Sequence, residues 1–369
     1  MTLTTRILTP ALALGLAWAA TTTAAAPAAA ATPDQTARWL AGLSPEGFST
    51  DKDSQKRLDK YAKTVTDKWA SYWKRIATPM IDWAKAELAQ TPGETIFYPF
   101  AGADFPTVAQ LYPQAGRYVL VALQTGGRVP DLQKMSTRSL DNFLDIFRKG
   151  FIDFARRGFF RTDDLKADTG HEKTVEGVTP VLLAFAARMG FKVDSVTPIR
   201  INAAGTDVET HPGAKDDVAT WDCVRLGLTA ADGRKVTLDY LWLDLSDDYL
   251  AKHANAKAWL AVVARNKTFT KAASHLMQKP FFSTMSQALV ANAPVVVQDE
   301  TGLDYKDMAK VFDVQLYGRF ERAHHLWTEG VQRELATAYK KAEDVKPLPF
   351  RFGYDKEAGS CLQVATRKK

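Results

Sequence analysis

The sequence has few cysteines and none of the short motifs that usually reveal an enzyme. Only two cysteines occur among 369 residues. No C-x-x-C or H-E-x-x-H motif is present, so the spacing of residues indicates no zinc site. G-x-S-x-G and G-x-G-x-x-G are also absent, which leaves no signature of a serine hydrolase or a dinucleotide-binding fold. The sequence therefore identifies neither a cofactor nor a bound metal.

Long hydrophobic runs are confined to the beginning of the sequence. Arg6 precedes an apolar run that starts at Ile7, and small residues follow up to Ala29-Ala30-Ala31. This order is typical of a secretory signal peptide, which we predict over residues 1–31, with an uncleaved anchor as the alternative. No later stretch is apolar over the roughly 18 residues that a membrane-spanning helix requires. We therefore expect a soluble periplasmic or secreted protein.

Charge of one sign is not concentrated anywhere except at the terminal Arg367-Lys368-Lys369. The formal net charge is +6, and the cations are scattered among anions. A nucleic-acid-binding protein usually carries a clustered basic stripe. The sequence therefore indicates a mixed, solvated surface and no nucleic-acid partner.

The two cysteines allow two interpretations. In an oxidising compartment Cys223 and Cys361 can form a disulfide. Alternatively, Cys223 lies in a strand-like run and serves as a small, buried apolar residue. The sequence leaves both possibilities open.

Residues 32–92 are predicted to form an N-terminal helical extension packed on the main domain. Apolar residues recur there at steps of three and four, including Trp69 and Trp73, and Pro79 is expected to kink or end the helix. Such a tryptophan stripe favours packing, although an exposed aromatic patch at Trp69 and Trp73 would suit an envelope interaction protein. Residues 93–369 are predicted to form a single α/β domain.

Strand-like and helical segments alternate through the rest of the sequence. "TIFYPF", "DFPTVAQLY" and "RYVLVAL" predict a strand, a helix and a strand, and therefore a parallel pair with a right-handed crossover. Asp232-Gly233 marks the turn of a hairpin, whereas "FTKAASHLMQKPFFSTMSQALVAN" is expected to be helical. We predict an α/β fold with a mixed, partly parallel sheet and helices on both faces.

Gly102 and Asp104 lie in the turn after the first of these strands. Ligands of open α/β sheets bind at the carboxyl ends of the strands, and a glycine permits close backbone approach. Asp104 is alternatively an N-cap of the following helix, which is the interpretation that the sequence favours. Tyr98, at the end of the strand, is a possible neighbour of a ligand.

Asp299, Glu300 and Asp304 form a second acidic turn after the apolar strand "VVVQ". Clustered carboxylates bind hard cations or supply a general acid or base, which makes Asp299 and Glu300 the candidate catalytic residues. The alternative is a solvated turn in which Gly302 has a positive φ.

Other residues carry weaker indications of a site. Arg161 and Tyr317 are further candidates for ligand contacts, since an arginine can hold a carboxylate or phosphate. His275 lies among apolar residues and is predicted to be a core histidine with its hydrogen bonds satisfied.

Five segments together resemble a family of uncharacterised exported bacterial proteins. These segments are "FYPFAGADF", "FFRTDDL", "VVVQDETGL", "QLYGRF" and "LPFRFGY". The resemblance spans residues 94–354 and implies one intact domain, but it implies no activity or catalytic residue.

Three functions are compatible with these patterns. The leading hypothesis is binding of a polar small molecule or an envelope glycan at the turns around Gly102–Asp104 and Asp299–Asp304. The second is a hydrolase that uses the same carboxylates, with or without a divalent cation. The third is an envelope interaction protein.

Overall fold

The structure is a computed structural model that describes residues 30–43, 52–157, 177–212, 218–271, 273–322, 332–352 and 360–369. Ala31–Lys369 form one compact unit.

A mixed sheet lies at the centre of the molecule, with the strand order β4-β3-β5-β6-β2-β1-β7-β8-β10-β9. The five central strands β6, β2, β1, β7 and β8 are parallel, and the strands on either side pair antiparallel. This confirms the predicted mixed, partly parallel sheet. The strands are Thr95–Tyr98 (β1), Arg117–Ala122 (β2), Lys192–Ile201 (β3), Val208–Thr210 (β4), Val224–Thr229 (β5), Lys235–Trp242 (β6), Lys267–Thr270 (β7), Val295–Gln298 (β8), Phe312–Gly318 (β9) and Cys361–Arg367 (β10).

Helices cover both faces of the sheet, as predicted. Among the described residues, no helix has the length and apolar character to cross a membrane. The helices are Pro33–Leu40 (α1), Lys52–Tyr72 (α2), Thr78–Glu87 (α3), Phe105–Leu111 (α4), Thr137–Arg157 (α5), Thr179–Arg188 (α6), Asp247–Lys252 (α7), Ala254–Val263 (α8), Ser283–Asn292 (α9), Tyr305–Val311 (α10) and Arg333–Lys341 (α11).

Successive side chains of the parallel strands point to opposite faces of the sheet, so the hydrophobic core forms two layers, one on each face. In β1, Tyr98 belongs to the layer on the α4 face, whereas Phe97 belongs to the layer on the opposite face. Trp259 of α8 and Leu289 of α9 pack into that second layer. Both sides of the sheet are therefore buried, which explains why its strands are nearly continuous apolar runs.

The tryptophan stripe of α2 faces the protein interior. Trp69 is buried, and its ring centroid lies 5.7 Å from that of Phe151 and 6.0 Å from that of Phe185. The favoured interpretation of the stripe as a packing face is therefore confirmed for Trp69, and the alternative of an exposed aromatic patch there is contradicted. Pro79 does not end the helix, because a π-helical turn at Trp73–Ala77 precedes it and Pro79 occupies the first turn of α3.

Strand β7 corrects the prediction that "FTKAASHLMQK" begins a helix. Lys267–Thr270 pair with both β1 and β8, and three of these four residues are buried. A strand of four residues buried on both faces shows no alternation, so periodicity cannot distinguish it from a helical segment.

The order of the parallel strands reverses between β1 and β7. From β1 the chain crosses to β2 through α4 on one face, whereas from β7 it crosses to β8 through α9 on the other. Such a topological switch point opens a crevice at the carboxyl ends of the two strands, where α/β proteins bind ligands. The loops after β1 and β7 meet at this position.

Candidate functional site

Five ionisable or polar side chains lie at the carboxyl ends of three adjacent strands. Tyr98 and Asp104 belong to the β1 end, Lys271 to the β7 end, and Asp299 and Glu300 to the β8 end. We refer to these five residues as the edge cluster. All are buried, with at most 4 % of each residue exposed. Since neighbouring strands are about 4.8 Å apart, the β1 and β8 ends are separated by only about 10 Å.

Asp104 occupies the position that precedes α4 but does not cap that helix with its side chain. Its Oδ2 instead accepts a hydrogen bond of 3.4 Å from the hydroxyl of Tyr98. The favoured prediction of a side-chain cap was therefore wrong.

Lys271 and Asp299 form a buried ion pair. The distance from Lys271 Nζ to Asp299 Oδ2 is 2.7 Å, and the two side chains are 2 % and 0 % exposed. Asp299 Oδ1 also accepts a hydrogen bond from the backbone N–H of Thr301, at 2.9 Å. Lys271 Nζ lies 5.2 Å from the centre of the Phe352 ring, a cation–π contact that adds to the pairing.

Glu300 contacts a cysteine rather than solvent. The Cys361 thiol donates to Glu300 Oε2 at 3.2 Å. Burial, together with the nearby Asp299 carboxylate, raises the pKa of Glu300 to about 7. Burial likewise raises the pKa of the Cys361 thiol well above its usual value. Cys223 and Cys361 are both free thiols, so the structure contains no disulfide between them.

The alternative of a solvated acidic turn is contradicted. Asp299 and Glu300 are both buried, and Gly302 is not among the residues with positive φ. A Cβ on Gly302 would lie 2.3 Å from Oε1 of Gln298. The glycine is therefore required for close packing of the Gln298 side chain, not for a left-handed turn.

Two non-glycine residues in the described part of the chain have left-handed backbone conformations. Phe100 has a φ of 57° and His275 a φ of 53°. Phe100 follows β1 and His275 follows β7, so both lie at the switch point. Such conformations cost on the order of 1–3 kcal/mol and are concentrated at functional sites.

An open cleft of about 520 Å³ lies beside the edge cluster, between α9 and α10. It starts near the carboxyl ends of β7 and β8, because the segments that follow these strands form part of its wall. We call it the α9–α10 cleft. Its lining residues are Met277, Gln278, Lys279, Ser283, Ser286, Gln287, Val290, Leu303, Asp304, Lys306, Asp307, Lys310 and Val311.

The predicted site residues are therefore divided among several places. Asp304 lines the cleft and caps α10, accepting from the N–H of Lys306 at 3.2 Å. Gly102 has a φ of 55° and open space where a Cβ would lie, within the turn that also holds Asp104. Arg161 lies outside the described residues.

Tyr317 does not join the edge cluster. Its hydroxyl donates to Glu87 Oε2 at 2.7 Å, and its ring packs 5.0 Å from that of Trp83. Lys346 also pairs with Glu87, and these contacts lower the pKa of the Glu87 carboxyl. The Tyr317 phenol thus ties β9 to the end of α3.

The described residues contain no group of three or more His, Cys, Asp or Glu side chains that converges to hold a metal ion.

Comparison with known proteins finds no matching family model, no matching curated protein and no matching solved structure.

Sequence reasoning missed Lys271 and Gln278 because it missed β7. The signal was present in "KTFTK", where threonine and phenylalanine favour a strand and the final lysine would then lie at a strand end. Gln278 had no such signal, since its role depends on contacts with the distant turn after β8.

Proposed function

We propose that this protein binds a small polar molecule, such as a sugar or glycan fragment, in the α9–α10 cleft. The observation that supports this proposal is the cleft itself, whose volume of about 520 Å³ lies in the range of small-molecule sites. It lies at the carboxyl edge of a parallel sheet, where α/β proteins place ligands.

The lining suits a neutral ligand with many hydroxyl groups. Amide and hydroxyl groups come from Gln287 and Ser283, while Leu303 and Val311 supply apolar surface. Lys310 pairs with Asp307 at 2.7 Å, so much of the charge in the lining is already balanced. Balanced charge gives a strongly ionic ligand little advantage, whereas a sugar presents both hydroxyl groups and an apolar face.

One wall of the cleft is held rigid by the turn after β8. The Gln278 amide donates to the carbonyl oxygens of Glu300 and Gly302, each at 2.9 Å. Gln298 accepts from the N–H of Leu303 at 2.8 Å and donates to its carbonyl oxygen at 2.9 Å. The buried Gln298 and the half-buried Gln278 thus fix the backbone beside the cleft, which is the support that a preorganised binding site requires.

The proposal is tested by titrating the protein with N-acetylglucosamine, glucose and glycine and measuring binding by calorimetry. We expect heat from the sugars and little from the zwitterionic amino acid. Gln287→Trp would fill the cleft from an exposed position, so we expect it to abolish binding without shifting the unfolding transition. Gln133→Trp changes another exposed glutamine, which does not line the cleft, and is the matched control. Unchanged sugar binding by Gln287→Trp would disprove the proposal.

A hydrolase is the second candidate, and the pKa of Glu300 is the observation that favours it. A carboxyl group with a pKa of about 7 can both donate and accept a proton near neutral pH. Turnover of p-nitrophenyl esters and glycosides, with loss of that turnover in Glu300→Gln, is the expected result. Equal turnover by the two proteins, both folded, would exclude Glu300 as the acid–base group.

The export of the protein is a separate proposal based on the leader sequence. If residues 1–31 are removed as a signal peptide, an envelope glycan becomes the available ligand. N-terminal sequencing of the protein recovered from the periplasmic and secreted fractions tests this directly, and an intact Met1 in a cytoplasmic fraction would contradict it.

A further inference from the structure

His275 is held in an unfavourable backbone conformation next to the edge cluster. It belongs to the short helical turn Ala273–Gln278 after β7, is 2 % exposed, and has a φ of 53°. A positive φ is uncommon for any residue other than glycine, although histidine adopts it more often than most. Phe100, the other described residue with this feature, lies after the neighbouring strand β1. The strain thus lies on both sides of the switch point.

The hydrogen-bond network fixes which ring nitrogen of His275 carries the hydrogen. The Gln278 Nε2 amide donates to two backbone carbonyl groups, of Glu300 and Gly302. Its Oε1 must therefore face the other way, and it lies 3.3 Å from His275 Nδ1. Because Oε1 can only accept, Nδ1 carries the hydrogen in the neutral ring. Nε2 is consequently left with a lone pair.

That lone pair has no hydrogen-bond donor in the part of the chain that the structure describes. His275 Nε2 is buried and makes no hydrogen bond. Leaving a buried acceptor unsatisfied costs on the order of 1–3 kcal/mol. A folded protein retains such a group at a functional site more readily than elsewhere, because a bound molecule can supply the missing donor.

The groups around His275 keep the ring neutral. Burial lowers its pKa, and the charges of Lys271 and Lys279 act in the same direction, while Asp299 and the contact with Gln278 oppose them. A neutral ring retains the Nε2 lone pair at physiological pH. Since the positions of Lys271 and Asp299 are fixed by their own pairing, the surroundings of the ring are well defined.

We propose that the segment after β7, beside the turn that follows β8, holds a second binding site, in which Nε2 of His275 accepts a hydrogen bond from the hydroxyl group of a small molecule. The site differs from the α9–α10 cleft, since His275 does not line that cleft. Its ligand is a small neutral molecule with a hydrogen-bond donor, and an alcohol or polyol is the class that we propose, because the acceptor is a neutral lone pair. The inference does not depend on whether the cleft binds a sugar.

The test uses nitrogen NMR of the whole protein, with its histidines labelled and the His275 signals assigned. Two probes are compared at equal concentrations: ethylene glycol, which has O–H donors, and 1,2-dimethoxyethane, which has none. We expect Nδ1 to be protonated and Nε2 unprotonated, and we expect the Nε2 resonance to shift with ethylene glycol alone. The shift should persist in Gln287→Trp, in which the cleft is blocked, so that this site and the cleft are tested separately.

Three results would overturn the inference. An Nε2 that carries the hydrogen removes the proposed acceptor. An Nε2 resonance that is unchanged by ethylene glycol means that a permanently bound water, or nothing, occupies the position. A shift of equal size with both probes means that the response is not a hydrogen bond.

Two variants separate a binding role from a structural one. His275→Phe preserves a buried ring but removes both nitrogens, and should lose the binding of ethylene glycol that we expect for the wild type. Gln278→Met removes the acceptor that fixes the tautomer, and should increase the fraction of rings with hydrogen on Nε2. An unchanged tautomer in Gln278→Met would mean that Gln278 does not set the hydrogen position, and would contradict the assignment of the Nε2 lone pair.

Discussion

Replacing Asp299 by alanine should destabilise the fold severely, because it removes the carboxylate that faces a buried ammonium group. The Lys271 side chain is only 2 % exposed and its Nζ lies 2.7 Å from Asp299 Oδ2. Breaking a buried ion pair by removing one partner costs about 3–5 kcal/mol. The backbone N–H of Thr301 would also lose its acceptor. We therefore expect a loss of about 3–5 kcal/mol in the free energy of unfolding.

The same reasoning predicts that removing both charges is far less harmful than removing one. In Lys271→Met/Asp299→Leu the site becomes apolar with a similar volume, and such replacements of buried ion pairs are often neutral or even stabilising. The sum of the two single effects should therefore greatly exceed the effect of the double variant. Urea-induced unfolding at neutral pH measures all three proteins on one scale.

A surface aspartate in an ion pair of equal length provides the control. Asp307 also lies 2.7 Å from a lysine, Lys310, but both side chains are exposed. Asp307→Ala should leave the unfolding midpoint almost unchanged, because exposed ion pairs contribute little. If Asp299→Ala proved as mild as Asp307→Ala, or if the double variant lost the sum of both single effects, burial would not determine the energetics of this pair.

Two further predictions concern pH and backbone conformation. The pKa of Glu300 is raised from 4.5 to about 7, so the folded state holds this proton more tightly than the unfolded state. As pH rises from about 4.5 to 7, the free energy of unfolding of the wild type should therefore fall relative to that of Glu300→Gln. The expected difference is on the order of 3 kcal/mol, measured by urea titration at each pH. Parallel pH curves for the two proteins would refute this. Gly318→Ala should destabilise the protein far more than Gly233→Ala. Both glycines have positive φ, but of the two only Gly318 has backbone atoms where a Cβ would lie, namely the Ser360 carbonyl group. Equal thermal shifts would contradict the clash.

The predictable parts of the fold are those with local signals. The crossover from β1 through α4 to β2 followed from apolar runs separated by a turn, and the hairpin of β5 and β6 followed from Asp232-Gly233. Ser246 caps α7 through a hydrogen bond from the N–H of Tyr249, as a serine before two acidic residues indicates.

The unpredictable parts depend on contacts between distant segments. Strands β7 and β10 are short or lie far from their partners in sequence, so their pairing with β1 and β8 has no local signature. The acids of the edge cluster were identified as candidates, but their burial was not. Whether a carboxylate is solvated or paired with a lysine 28 residues away is decided by strand order, which spacing alone does not give.

His275 shows that contacts with distant segments also decide which hydrogen bonds a single side chain makes. Its burial among apolar residues was predicted correctly, but the expectation that its hydrogen bonds are satisfied was only half right. Nδ1 has a partner in Gln278, whereas Nε2 has none among the described residues. The orientation of the Gln278 amide is set by the turn after β8, so the state of the imidazole depends on a segment more than 20 residues further along.

The position of strand β10 in the sheet determines what happens to a polypeptide that ends early. Cys361–Arg367 insert between β8 and β9 and pair antiparallel with both. A polypeptide that stops before residue 361 would leave those two neighbours with unpaired backbone groups, and exposed strand edges promote aggregation. We therefore expect a polypeptide shortened in this way to aggregate, because β8 and β9 depend on β10 for the pairing between them.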